Sequence, residues 1–589
     1  MSDSYISHDI AFGGMNGVFK NLLPHEDYDK IQKPSRPPLF HAPNTGAGVP
    51  KNGNDFQDES IAIKEEYMKI IKDGLGKTGA KKKKVVIIGA GTSGLCAGRE
   101  LKRAGFDIEI LEASSRIGGR VITFRDPHFA PGLHGEGAAM RIPKDHFLLH
   151  AYISKFKLDS QLFPFEMKNK FIRLEGLGKT MTYDEFNKML KDKDPKILAL
   201  FPGLKEEEKG KTPDDMYNDA VQPVTDELTK TYDAAIKAGD TVATAVIKAY
   251  KAVTTRYDKY TLRTFFTDEA KWSEAAVNLY DLGNAHVVLQ NGFIESWKDG
   301  FLSSNLDKDD GMMQLQGGMD MITNAFITPN PDDKEDPKSL IGNINYGARA
   351  TEIIKTPGKE HAGKVKCKRP SGIEFEVDYD YLIVSIPFSS LRLMAKSNTF
   401  SPMKEAAIRQ VRYVEVTKVL LQYQKRWWED IFKKHDQGKD GGLVTDLPIR
   451  YTMFPKTAGS DQAKNSQRGV VMAAYTFEQD ATALGCLTEP HRISLAAENL
   501  QMCFPDVKSK DLLEAGASMV WPADEMAGGS AFCYFGPGQK SQFLEEMCKS
   551  EWDDTVWIAG EHASYTHGWI QGAFEAGLRC AKEIFTKAK

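Results

Sequence analysis

Cysteine is scarce in this chain: seven among 589 residues, an odd number, with no two set as CxxC. That offers neither a disulfide framework nor a cysteine zinc site, and it points to reduced thiols inside a cell. An excess of one charge is also missing. The 77 Lys and Arg against 81 Asp and Glu leave a formal net charge of −4, so the balance does not recommend nucleic acid as a partner. The one basic run, KKKK at 81–84, directly precedes a strand-like segment and reads as its solvated start, with a localisation signal as the alternative. No stretch comes near the roughly 20 apolar residues of a membrane span. MSDSYISHDIAF lacks both the charged start and the apolar core of a secretory signal, so an intracellular, cytoplasmic protein is expected. There is no internal repeat. What is present, 41% hydrophobic and 27% charged residues, is the composition of a soluble globular protein.

The length exceeds what one ordinary core organises, and about three domains are expected. Residues 1–80 read as an extension: 33–54 are Pro/Gly/Asn-rich and should be irregular, whereas SIAIKEEYMKIIKDGL (60–75) has the spacing of an amphipathic helix. VVIIGAG (85–91), a helix through LCAGRELKRAG, and FDIEILEA make a βαβ opening. From 206 to about 300, helix formers with 3.6-residue apolar spacing dominate. Strand-like runs return at YLIVSIP (381–387), VTKVLLQYQ (416–424) and GVVMAAYTF (469–477). A last strand, TVWIAGEHA, leads through HGWIQG into a closing helix.

Gly89, Gly91 and Gly94 form G-x-G-x-x-G between a β-branched strand and a helix, the context that motif requires. The glycines allow a tight turn, so that a pyrophosphate can sit on the helix N-terminus at Thr92 and Ser93. Glu112 ends the second strand at the distance expected of a carboxylate that holds an adenosine ribose. This much does not separate NAD from FAD.

SSRIGGRVIT (114–123) does, because R-x-G-G-R after the glycine loop resembles the extension of the GR2 flavoproteins, with Arg116 and Arg120 as cations and Gly118 and Gly119 as close-approach positions. With GAAMRIP (137–143), QGGMDMI (316–322), VTKVLL (416–421) and GEHASYTHGWIQGAFEAGLR (560–579), the chain resembles the flavin-containing amine oxidases over roughly 85–585. Within them it is most similar to L-amino acid oxidases of an intracellular fungal type. The resemblance implies an α/β (α+β) fold: a GR2-type, Rossmann-like FAD-binding domain from segments 81–145, 310–395 and 555–589, a mixed-sheet substrate-binding domain from 146–205 and 396–554, and a helical subdomain at 206–309. It also implies a homodimer. FAD should be noncovalent, since ASYTHGW has no cysteine for attachment, and no metal is expected.

Carried over residue by residue, the resemblance makes Arg141 the bidentate partner of a substrate α-carboxylate, with Tyr475 as a second donor. The alternative for Arg141 is a salt bridge with Glu136. Gly568 and Trp569 would lie against flavin and substrate, the Gly568 carbonyl accepting from the amine and Trp569 forming a wall. Lys418 matches a lysine that holds a water near flavin N5 and assists reoxidation. Around the cofactor the same matching places Gly89, Gly91, Thr92, Ser93, Gly94, Glu112, Ala113, Arg116, Gly119, Arg120, Ala138, Ala139, Met140, Arg141 and Ala350, then Trp521, Gly560, Glu561, Gly568, Trp569, Ile570 and Ala573. The histidine that some of these enzymes carry in the helical domain is missing: FIESWKDGF has Lys298 or Asp299 in its place. Glu295 reads either as a pocket acid or as a helix-surface carboxylate. Ser530 stands where a larger apolar residue occurs and should widen the pocket.

The implied reaction takes an L-amino acid and O2 to a 2-oxo acid, ammonia and hydrogen peroxide, with hydride transfer from Cα to flavin N5. An L-amino acid 2-monooxygenase shares the clamp and stays open. An amine or polyamine oxidase would leave Arg141 without a carboxylate, and a scaffold with vestigial activity would leave intact motifs without use. Residues 1–80 read as a structural arm or a regulatory segment.

Overall fold

The structure is a computed structural model that describes residues 59–77, 83–284, 288–304, 312–329, 339–358, 360–455 and 466–589. The irregular stretch expected at 33–54, and with it most of the extension, lies outside the described residues.

Lys84–Ile88 is apolar at every position after the first, as a strand covered on both faces must be. It is the middle of a five-stranded parallel sheet. Asp107–Glu112 and Tyr381–Val384 flank it, and Ile344–Tyr346 and Val556–Ile558 are the outer strands. Strands distant in sequence thus share one sheet. Because side chains alternate along a strand, Val85 and Ile87 face a helical layer while Val86 and Ile88 face a second, four-stranded sheet that includes Arg349–Lys355 and Gly363–Lys368. The helical layer is Thr92–Ala104 with Ile570–Lys587. They approach closely at Gly577, where a Cβ would stand 2.6 Å from the Ser93 carbonyl.

The helix expected at 60–75 is present as Ile61–Asp73 and buries Tyr67, Ile70 and Ile71. Arg103 donates to the Ile70 and Ile71 carbonyls at its end, 3.3 Å each, which satisfies acceptors a helix C-terminus leaves open.

A seven-stranded mixed sheet runs in the order Leu513–Val520, Val416–Tyr423, Gly469–Phe477, Tyr451–Phe454, Gly441–Thr445, Asn169–Leu174, Lys179–Thr182. Val416–Tyr423 is buried along its whole length, so Lys418 is buried with it. Lys418 pairs in register with Tyr475 on one side and Met519 on the other. The helix-rich text at 206–300 folds as Pro213–Lys237, Val242–Tyr257, Glu274–Gly283 and Phe293–Ser304, with shorter turns between. Thr212 and Asp215 close a capping box at the first of these, and Pro213 takes the N1 position. No helix among the described residues is long and apolar enough to cross a membrane.

Candidate active site

The glycine loop leaves the first strand with Gly89 at φ +102°. Gly94 admits only hydrogen, since a Cβ there would stand 2.2 Å from the Gly89 carbonyl, while among the described residues nothing lies within 4 Å of one on Gly91. Among the described residues no side chain caps the helix that Gly91 opens. A helix N-terminus with a bare, open approach is a ready place for a pyrophosphate. Ser93 Oγ accepts from the Gly560 amide at 3.1 Å and ties the loop to the end of the last strand. The Glu112 carboxylate bridges the glycine loop and its own turn, accepting from the Ala90 amide and the Ser114 amide at 2.8 Å each. Ala113 follows it, half-buried, and Ala350 is half-buried on a neighbouring strand.

R-x-G-G-R returns to the same loop. The Gly118 amide donates to the Ala90 carbonyl at 2.9 Å, and a Cβ on Gly119 would meet Gly91 Cα at 3.3 Å. Arg116 is turned to the Ile117 carbonyl. Arg120 donates to Glu561 at 2.8 Å. Glu561 also accepts from the Cys533 amide at 3.0 Å and the Gly568 amide at 2.8 Å, so one buried carboxylate fixes three segments. Gly568 sits at φ +76°. Trp569 precedes the last helix, whose first turn buries Ile570 and Ala573.

The GAAMR segment meets the seven-stranded sheet at Lys418. The Gly137 carbonyl accepts from Trp521 Nε1 at 3.2 Å, and the Ala138 carbonyl accepts from Lys418 Nζ at 2.6 Å. Ala139 is half-buried, and Met140 is buried with its sulfur 3.5 Å from Lys418 Nζ. Burial lowers the Lys418 pKa to about 7, against the pull of Glu136 and with the help of Arg141. The Lys418 ammonium nitrogen stands 4.7 Å from the centre of the Tyr475 ring.

Arg141 donates to the Met167 sulfur at 2.9 Å, and its guanidinium carbon lies 5.4 Å from the centre of the Trp569 ring. Among the described residues no carboxylate is within ion-pair distance of it. The alternative pairing with Glu136 is not formed: that carboxylate accepts from Thr123 Oγ1 at 2.8 Å and the Met319 amide at 3.0 Å. Burial pushes the Glu136 pKa up to about 7. The Arg141 charge acts on Tyr451, Tyr475, Tyr534, Asp299 and Lys418, which therefore share the neighbourhood of one cation.

Two residues stand differently from the sequence reading. Glu295 is no surface carboxylate; it is buried with Oε2 2.8 Å from His567 Nδ1. Burial opposes its ionisation, yet His567, Lys540 and Lys298 hold its pKa down to about 2. That environment is an internal ion cluster, and Glu295's hydrogen bond is spent inside it. Ser530 is buried too, and its hydroxyl is taken up by the Ala527 carbonyl at 2.7 Å and by Ser389 Oγ at 3.0 Å. Four residues that the sequence left without a role join the Arg141 cluster: Met167, Tyr451, Tyr534 and Asp299. Asp299 accepts from Trp569 Nε1 at 3.1 Å. Only its place opposite a family histidine singled it out in the sequence.

The model of the flavin containing amine oxidoreductases matches residues 92–585. The chain belongs to that family. A putative L-amino-acid oxidase of Bacillus subtilis is 29% identical over 527 residues, covering 89% of this chain and 98% of the relative. The L-amino-acid oxidase of Gloydius blomhoffii is 28% identical over 525 residues, 88% and 92% covered, and that of Siganus canaliculatus 27% identical over 522 residues, 88% of each. As a family member the chain is an oxidoreductase with FAD as its cofactor. The hydrogen-only position at Gly94, the open Gly91 and the uncapped helix fit a dinucleotide of that kind.

Proposed function

We propose that this enzyme deaminates L-amino acids oxidatively, consuming O2 and water and yielding a 2-oxo acid, ammonia and hydrogen peroxide. One observation carries the reading: Arg141 is a permanently charged fork beside the Met167 sulfur and the Trp569 ring, with no carboxylate within ion-pair distance among the described residues. A substrate α-carboxylate supplies the missing anion and matches the fork's geometry. The relatives' names agree with this substrate class.

FAD held at the Gly91–Thr92 helix N-terminus would supply the two-electron acceptor for the substrate's Cα–H bond and the link to O2. The chain's own part is placement. Arg141 and Tyr475 fix the carboxylate, the Gly568 carbonyl accepts from the amine, and Trp569 walls the cage, so that Cα has one orientation. Glu561 holds the Gly568 amide, which keeps that carbonyl where it is needed. Lys418 is the buried amine able to hold or release a proton near neutral pH, from a strand that excludes bulk water. The ring of Ala113, Ala138, Ala139, Met140, Ala350, Trp521, Ile570 and Ala573 would line the cofactor. A homodimer is part of the same proposal, supported by the resemblance alone, and so is a cytoplasmic location, supported by the few and unpatterned cysteines.

The test is product analysis on the purified yellow protein with L-amino acids, D-amino acids and amines lacking a carboxyl group. We expect peroxide and 2-oxo acid from the L series only. An amide product would instead make the enzyme a 2-monooxygenase, and equal turnover of simple amines would remove the substrate class.

A further inference from the structure

The roles just assigned leave the charged side chain at the edge of the Trp569 indole without use. Asp299, on the helix Phe293–Ser304, is half-buried at the indole edge of Trp569, accepting from Nε1 and sharing a hydrogen bond with the Tyr534 hydroxyl. Arg141 lies over the face of the same indole. The two opposite charges interact, the guanidinium favouring the ionised carboxylate. No ion pair joins them among the described residues. A pocket that holds a cation and an acid apart suits a ligand with an anion at one end and a cation at the other.

We propose that Asp299 is a specificity-determining residue, receiving the end of the substrate side chain and favouring L-amino acids whose side chain carries a terminal cation. The inference rests on the function proposed above. With the α-carboxylate on Arg141, two cations of such a substrate compete for Asp299, and the chemistry decides between them. Oxidation needs the α-nitrogen as a neutral amine, and a carboxylate beside it would hold it as the unreactive ammonium. The side-chain cation has no such conflict. A carboxylate that already accepts from Trp569 and Tyr534 keeps acceptor capacity for an ammonium or a guanidinium. Burial raises the Asp299 pKa from the usual carboxylate value, and a cation arriving in place of water would favour its ionisation. Glu295, four residues earlier on the helix, is committed to His567 and is not available for this.

L-ornithine and L-norvaline differ only in the terminal amine, which makes them the pair to measure. The readout is the ratio of their kcat/KM values in the wild type and in Asp299→Asn, the asparagine keeping an acceptor for Trp569. We expect the ratio to fall at least tenfold in the variant, mainly through KM for L-ornithine. An unchanged ratio, with both substrates losing equally, would reduce Asp299 to a support for Trp569 and overturn the proposal. Should the variant not fold, calorimetry on the wild type decides with ligands that lack an α-hydrogen. α-Methyl-L-ornithine should bind at least tenfold more tightly than α-methyl-L-norvaline, and equal binding overturns the proposal. If L-norvaline is deaminated and the ratio is unmoved, this inference alone falls. If neither amino acid yields a 2-oxo acid while a simple amine is oxidised, the proposed function falls and takes this inference with it.

Discussion

At the scale of single residues, the buried lysine sets the sharpest expectation. Lys418 is 2% exposed and titrates near 7, against an ordinary lysine value of 10.5 in the unfolded chain. Between those two values the unfolded state binds more protons than the folded one, so this residue contributes stability as pH rises from about 7 towards 10.5. Glu136 acts oppositely and lower: with its pKa raised from 4.5 to about 7, it removes stability as pH rises across that window. Lys418→Met abolishes the first effect. The melting temperature of the holoenzyme variant relative to wild type should therefore drop as pH goes from 7.5 to 9.5. The slope is about 1.4 kcal/mol per pH unit; a difference that stays flat would show that the lysine is not held neutral.

Backbone sterics give a second residue-scale expectation. A Cβ at Gly94 would meet the Gly89 carbonyl at 2.2 Å, a fixed main-chain atom on the cofactor loop. Gly94→Ala should yield protein with little or no flavin, read as the ratio of visible to ultraviolet absorbance. Full flavin content would contradict the assigned loop.

At the scale of elements, the helix Phe293–Ser304 shows what a sequence withholds. Three of its apolar residues, Phe293, Ile294 and Trp297, announce a packed helix and are buried. Its charged residues look alike on paper, yet Glu295, Lys298 and Asp299 meet different surroundings. Glu295 faces His567, Lys298 donates to the Tyr565 carbonyl at 2.6 Å, and Asp299 reaches Trp569. Those partners lie about 270 positions away in the chain, and no local pattern encodes them. Removing the buried acid takes the carboxylate from His567 and one of two negative charges from beside Lys298 and Lys540, which Glu59 also pairs. Glu295→Ala should therefore lower stability by about 3 kcal/mol, measured as a reduced melting temperature of the holoenzyme. A shift within error would mean that the cluster is not coupled to folding.

The strands were more readable. KVVII carries its burial in its own composition, because a β-branched run between a charged start and a glycine has few alternatives. GVVMAAYTF and VTKVLLQY are legible as strands for the same reason. Lys418 is the exception inside one of them, since alternation alone would put its side chain on a solvated edge. Pairing with strands on both sides decides otherwise.

At the scale of the whole molecule, the α/β class and the flavin family were both visible in the glycine loop, R-x-G-G-R and the closing GWIQG segment, where backbone approach dictates residue type locally. The seven-strand order, and the meeting of GAAMR with Val416–Tyr423, arise from contacts between distant segments and required the fold. Family membership explains why one chain has both a dinucleotide loop and a substrate pocket, and it leaves the substrate to the pocket's own chemistry.

The central claim is that Arg141 selects substrates by their carboxylate. The direct measurement compares kcat/KM for L-leucine and for 3-methylbutylamine, the same molecule without its carboxyl group, in the wild type and in Arg141→Ala. Losing one partner of a desolvated, charge-assisted pair costs about 3 kcal/mol, or roughly a hundredfold. The wild type should prefer L-leucine by at least that factor, and the variant should bring the two substrates nearly level. A variant that keeps the full preference would place the carboxylate elsewhere and contradict the account.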